Sequence, residues 1–421
     1  DPIYFKGRRM TATDLDRVST TRPVLIVHAS FHIANVNTAV LTAANITAST
    51  NIQGIVKGED GNPTGELQGM PAQFMAGNAI GRHRWGEMGK VENLWRFARS
   101  AQLAGVTTTT DLANPLEEDV ITNLKAVAAQ DDYPLRIVPA FMGNTSRAED
   151  GVKKISALIP ESSNKLRFGL IKLVADGSIQ GFTARMMDPG YYNGAPNGLW
   201  YIDPDEIQST IETYHAAGLQ IHIHTNGDQA TDHVLGAIET TLKKHPDPDA
   251  RFTLQHCQMA HESHYQRMAK LGVGANLFSN HLFYWGDQHY EQTMGPERAA
   301  RMNATATAKR LGVFFSIHSD APITPLAPLF TAWCAANRIS MTGREIGPAE
   351  KIGLHDALYA VTMGAAFTLK LDDELGSLEV GKRADFAVLE DDPYELGAEG
   401  LKDVRVWGTV MDGKIYNNAD I

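Results

Sequence analysis

From about residue 91 onward the chain alternates between short apolar runs and amphipathic stretches. Val106-Thr-Thr-Thr-Thr110-Asp111 is β-branched and ends in a carboxylate. Leu135–Ala140, Gly169–Ala175, Gly218–His224, Phe252–Cys257, Gly272–Phe278 and Gly312–His318 follow it, with helical patterns such as 91–104, 116–130 and 229–244 between them. Strands separated by helices at this spacing predict βαβ units and a parallel sheet. The runs number seven, one short of a (β/α)8 barrel.

The flanks follow a different pattern. Residues 1–90 are irregular, with a short strand at Arg22–His28, a helix start over Phe31–Leu41 carrying His32 and Asn37, and a Gly/Pro turn before Glu66. They read as an insertion or lid on a barrel spanning 91–370. His32 and Asn37 serve there either as local hydrogen-bonding groups or toward a substrate. After a helix at Leu354–Lys370, residues 371–421 are short strands with glycine turns, the C-terminal part of a small β domain.

Composition narrows the partners. The 421 residues are 43% hydrophobic and 21% charged, an ordinary globular balance, and the net charge of -11 disfavours nucleic acid and anionic membranes. No apolar run reaches the roughly 18 residues a membrane span needs. Only Cys257 and Cys334 are present, which fits a reducing, cytoplasmic location. The chain opens Asp1-Pro-Ile without Met or a leader pattern, so it either starts inside a longer polypeptide or was processed, and any targeting segment would have gone with the missing start.

Candidate chemistry lies at the strand ends. In Gly218-Leu-Gln-Ile-His222-Ile-His224 the alternation puts both imidazoles on one face, and Thr-Asn-Gly-Asp228 turns the chain into a helix. Lys172, His224, His256 and Asp320 each fall at or near the carboxyl end of a different strand, where binding groups of α/β proteins collect. Two neutral imidazoles and a carboxylate suit zinc and similar ions and leave a position open for water. Lys172 becomes a ligand only if carboxylated, and otherwise pairs with Asp111 or Asp176. His222 orients a ligand or belongs to the core. His281, in an aromatic stretch with Tyr284 and Trp285, lines a pocket or packs; Arg185 clamps a substrate or braces a loop. Cys257 reads as core.

These motifs together resemble the amidohydrolase superfamily, in the branch containing N-substituted formamide deformylases and metal-dependent hydrolases. The resemblance rests on Lys172 with Asp176-Gly-Ser178 and Thr183-Ala-Arg185, on His224-Thr-Asn-Gly-Asp228, on Leu254-Gln-His256-Cys-Gln258, on His318-Ser-Asp320-Ala-Pro322, and on Gly376 to Asp385. It extends to Asp14, Asp16, Arg22, His32 and Asn37, and so covers nearly the whole chain. It implies a (β/α)8 TIM barrel of the amidohydrolase type with a small β-sandwich domain. It also implies one or two divalent ions, zinc foremost, with carboxylated Lys172 as a bridge, His224 and His256 as ligands, and Asp320 as ligand and general base. The activity implied is hydrolysis of an amide-like carbon–nitrogen bond of a small molecule by metal-activated water; His32, Arg185, His222 and His281 are, from the residues themselves, the candidate substrate-side groups. Ester, lactone or phosphoester hydrolysis on the same site is the alternative, as is a non-catalytic binding or regulatory protein.

One departure stands out. The family carries a His-x-His pair at the end of the first barrel strand, and nothing before Arg22 matches it. An open seven-stranded barrel would expose an edge. We therefore expect an N-terminal piece that is omitted, cut away or held as an associated fragment; the partners expected are a small-molecule substrate and either that fragment or a second copy in a homo-oligomer.

Overall fold

The computed structural model describes residues 1–82 and 88–420. Near the N-terminus lie β1 (Leu25–Val27), β2 (Ile33–Val36), β3 (Ile55–Lys57) and β4 (Pro63–Gln68), in an antiparallel sheet of order β1-β2-β4-β3. The stretch expected to start a helix at Phe31 instead forms β2, paired on both sides, and the helix begins only at Thr38. Asn37 sets that boundary, because its side-chain oxygen accepts the Val40 N–H at 3.2 Å and caps the helix. Val36, Val40, Leu41, Leu67 and Ala72 are buried together, so the expected lid region has an apolar cluster of its own.

All seven expected barrel strands are present: β5 (Thr108–Asn114), β6 (Arg136–Met142), β7 (Leu170–Val174), β8 (Gln220–Thr225), β9 (Thr253–His256), β10 (Gly274–Leu277) and β11 (Phe315–Ile317). They form one parallel sheet in chain order, with β5 and β11 at its edges. The fold is therefore mixed α/β with a barrel-like parallel sheet. Ile171, Leu173, Ile221, Ile223, Leu254 and Leu277 pack on one face beneath helices that include Pro204–Ala216 and Asp228–Lys244. On the other face Val138, Ala140 and Leu170 meet Ala366, Leu371 and Leu375. Period-2 alternation thus sends Lys172, His222 and His224 away from the helix-packed face.

The C-terminal strands form one antiparallel three-stranded sheet of β12 (Phe386–Leu389), β13 (Val406–Met411) and β14 (Lys414–Asn417). The expected helix 354–370 is two helices, Leu354–Val361 and Met363–Thr368, broken where Thr362 takes φ -119°, ψ -93°. Among the described residues no helix is long and apolar enough to cross a membrane.

Candidate active site

Parallel register brings the strand ends level. Val174 of β7 pairs with His224, Thr225 of β8 with His256, and Leu277 of β10 with both His256 and Ile317. Beyond Ile317 the chain continues through His318 to Asp320. His256 and Asp320 both sit in the left-handed region, at φ 66° and φ 52°. Non-glycine residues hold such conformations only where their surroundings impose them, and such positions cluster at functional sites.

The rings then meet in series. His32 lies 5.1 Å from His224, His224 stands edge-on to His256 at 4.5 Å, and His256 lies 5.0 Å from His318. Ligand atoms of His256, His318 and Asp320 all fall within 4.8 Å of one another. His256 Nδ1 and His318 Nε2 are buried nitrogens without a hydrogen-bond partner among the described residues. Buried polar atoms are normally paired, so two orphaned imidazole nitrogens beside a carboxylate fit a divalent cation. His224 is braced from behind: its Nε2 lies 3.1 Å from both the Gly177 carbonyl and the Asn226 side-chain amide nitrogen.

Burial shapes the electrostatics. His256 is pushed well below the usual imidazole range by desolvation and then by His224 and His318, so it stays neutral and able to ligate. Burial drives His318 to about 3. It lifts Asp320 to about 6 against the opposing pull of Lys172, and lowers Lys172 to about 8 against the pull of Asp320. Lys172 does not pair with Asp111 or Asp176. Asp111 accepts from Asn114 Nδ2 at 2.7 Å, and Asp176 accepts the backbone N–H groups of Asn226, Gly227 and Arg185 at 2.9–3.0 Å.

Of the four residues expected on the substrate side, two line one cavity with the candidate ligands. His32 and His281 line a small cavity with His224, His256 and Asp320; its other walls are Ser30, Ser178, Gln180, Asn226, Phe278 and Ile323. His32 also reaches the Tyr201 hydroxyl at 3.2 Å. His222 and Arg185 are not among the lining residues. Both nitrogens of His222 are taken, Nε2 by the Thr368 carbonyl at 2.8 Å and Nδ1 by the Gln255 amide at 2.9 Å. Arg185 is held by Gln229 at 3.0 Å, by the Gly198 carbonyl at 2.9 Å and against the Trp200 ring, so it braces its loop. Cys257 is fully buried, and burial raises its thiol to about 12, as a core residue would show. His318 is the group that sequence reasoning did not single out as a ligand. Its spacing two before Asp320 was the available signal.

A parallel α/β sheet that gathers imidazoles and a carboxylate at its strand ends defines a barrel-type protein built to hold a divalent metal. The sequence model of the amidohydrolase family matches residues 1–416, and the chain belongs to that family. It is 28% identical over 435 residues to the protein LONG AFTER FAR-RED 3 of Arabidopsis thaliana, covering 98% of this chain and 72% of that one. To the N-substituted formamide deformylase of Arthrobacter pascens it is 25% identical over 416 residues, covering 96% and 75%. Its fold is similar to the crystal structure of an uncharacterized metal-dependent hydrolase from Pyrococcus horikoshii OT3, with TM-score 0.67 and 21% identity over 92% of this chain and 75% of that one.

Proposed function

We propose that the protein is a metal-dependent hydrolase that cleaves an amide-like carbon–nitrogen bond of a small molecule. The observation that carries this reading is the cluster of His256, His318 and Asp320, with two buried imidazole nitrogens lacking a hydrogen-bond partner among the described residues. In this reading those three residues hold a divalent ion, zinc foremost, and His224 and a carboxylated Lys172 extend the ligand set toward a second. The ion supplies Lewis acidity, which lowers the pKa of water and polarises an oxygen.

The chain's own residues do the rest. Asp320 takes the proton of the attacking water and returns it to the leaving nitrogen, a role that suits a carboxylate held beside the ion and its water. Lys172 at about 8 has an appreciable neutral amine fraction near that pH, the form that takes up carbon dioxide. His32 and His281 face the substrate from opposite parts of the chain, one from the N-terminal sheet and one from the helix after β10. A relative that is an N-substituted formamide deformylase supports an amide over an ester as the substrate.

Elemental analysis of the purified protein, paired with hydrolysis of a panel of N-formyl amines and small esters, tests this. About one or two metal equivalents per chain and turnover of amides are expected, with Asp320→Ala slowed on the order of 10²–10⁴-fold. Less than about a tenth of an equivalent, with no turnover, would overturn it. Turnover of esters alone would move the activity to carbon–oxygen bonds.

A further inference from the structure

The cavity wall carries a buried hydrogen-bonded series that the reaction above leaves unused. His281 lies in the helix Asn280–Gln288, whose continuation, His289–Thr293, is wound as a π-helix. Such wide turns are uncommon and recur at functional sites. Here His281 Nδ1 lies 3.0 Å from His289 Nε2, and His289 Nδ1 lies 2.8 Å from the Thr293 hydroxyl. All three side chains are buried, and the two imidazoles stack 5.3 Å apart at 17°. Desolvation keeps both rings neutral, His289 at about 3 and His281 well below the usual range.

Two neutral imidazoles and one hydroxyl can share their protons in two ways. In the first, Thr293 donates to His289 Nδ1, His289 Nε2–H donates to His281 Nδ1, and His281 carries its own proton on Nε2. In the second every bond reverses, and the Thr293 proton then has no acceptor among the described residues. A buried hydroxyl proton without a partner is the costly case, so the first arrangement prevails. It leaves Nε2–H as the one ring nitrogen of His281 without a protein partner among the described residues, on a ring that lines the cavity. Phe278 and Trp285 flank that ring at 4.5 Å each, an apolar wall in which a hydrogen bond gains strength.

We propose that Thr293 and His289 are positioning residues that fix His281 as the Nε2–H tautomer, so that it donates a hydrogen bond to the carbonyl oxygen of the bound substrate. This rests on the hydrolase reading. His281 is then a catalytic residue of fixed polarity, opposite in sense to the lone-pair nitrogens of His256 and His318.

Two readouts test it on the full-length, metal-loaded protein. In a long-range proton–nitrogen spectrum of ¹⁵N-histidine protein, with the His281 signals assigned by their loss in His281→Gln, the ring should carry its proton on Nε2. Thr293→Val should erase that preference and Thr293→Ser should keep it. In kinetics, Thr293→Val should lower kcat on the order of 10-fold or more, with metal content unchanged, and Thr293→Ser should restore it. KM should stay within about twofold in both. A wild-type Nδ1–H tautomer, or an unchanged kcat in folded Thr293→Val, overturns the proposal. If Thr293→Val does not fold, His289→Gln should retain kcat, because its amide donates to His281 and accepts from Thr293, whereas His289→Leu should lose it; equal rates in the two overturn the proposal. A metal-loaded protein that hydrolyses no amide overturns the hydrolase reading, and the spectrum still decides the tautomer.

Discussion

His222 and His224 are two residues apart, yet the structure gives them different duties. Two residues along a strand is a rise of roughly 6.5 Å, so side chains on one face still belong to successive layers. His224 reaches the cavity; His222 sits a layer below, both nitrogens satisfied by Thr368 and Gln255. Burial lowers His222 to about 3, against an ordinary value of 6.5. Between those values the unfolded chain binds the proton and the folded one does not. The stability tied to this neutral ring is complete above pH 6.5 and is lost as pH falls toward 3. Denaturant midpoints should fall between pH 6.5 and 4, each such ring contributing up to about 1.4 kcal/mol per pH unit. His222→Gln, which cannot take up a proton, should show a shallower slope than wild type, and identical slopes would remove His222 from the account. At this scale the sequence was informative about which residue types stand at strand ends, since His224 and His256 close β8 and β9 and Asp320 follows β11, whereas Lys172 sits mid-way along β7, level with His222. It was silent on layer depth and on Arg185, whose partners Gln229, Gly198 and Trp200 are brought in by the fold.

Among the elements, the turn after β8 shows how tightly the site is built. Asp176, at the end of the β7 segment, accepts N–H groups from Asn226 and Gly227 and so ties two strand ends together. Gly227 packs against the Arg185 backbone so closely that an added Cβ would lie 1.7 Å from its carbonyl oxygen. Gly227→Ala should therefore destabilise by about 1–3 kcal/mol or more, and should lower metal content by displacing His224. Gly236→Ala, in the helix that follows, meets nothing nearer than 3.9 Å and should instead stabilise by up to about 1 kcal/mol. Urea unfolding of the pair checks both signs, and equal effects would sink the close-packing argument. The strands of the parallel sheet were legible because each is a short apolar run bounded by turns. β2 was not, because Ile33–Val36 is buried on both faces and runs into a capped helix, which leaves no alternation to separate strand from helix.

At the scale of the whole molecule the sequence showed three regions without showing how they join. The C-terminal match at Gly376 to Asp385 reads as turn chemistry, and only the structure shows Asp385 reaching Arg136 at the start of β6. Their charged groups lie 3.2 Å apart with side chains 4% and 3% exposed, and Asp385 also accepts the Asp412 N–H at 2.8 Å. Asn164 holds the other arm of Arg136 at 2.9 Å, and Asp412 lies 3.5 Å away as a secondary charge partner. This latch joins the small sheet to the strand-start end of the barrel, opposite the cavity. Removing one member of a buried ion pair leaves the other charge uncompensated, so Asp385→Ala should destabilise by about 3–5 kcal/mol. Asp385→Asn keeps an acceptor oxygen for one of the two donors and should cost less. Because the latch lies at the far end from His256, His318 and Asp320, the folded fraction of either variant should keep its metal content per chain. Chemical unfolding with elemental analysis of the folded pool measures both quantities together. Loss of metal in a stable Asp385 variant would show that the small sheet acts on the site as well as holding the barrel.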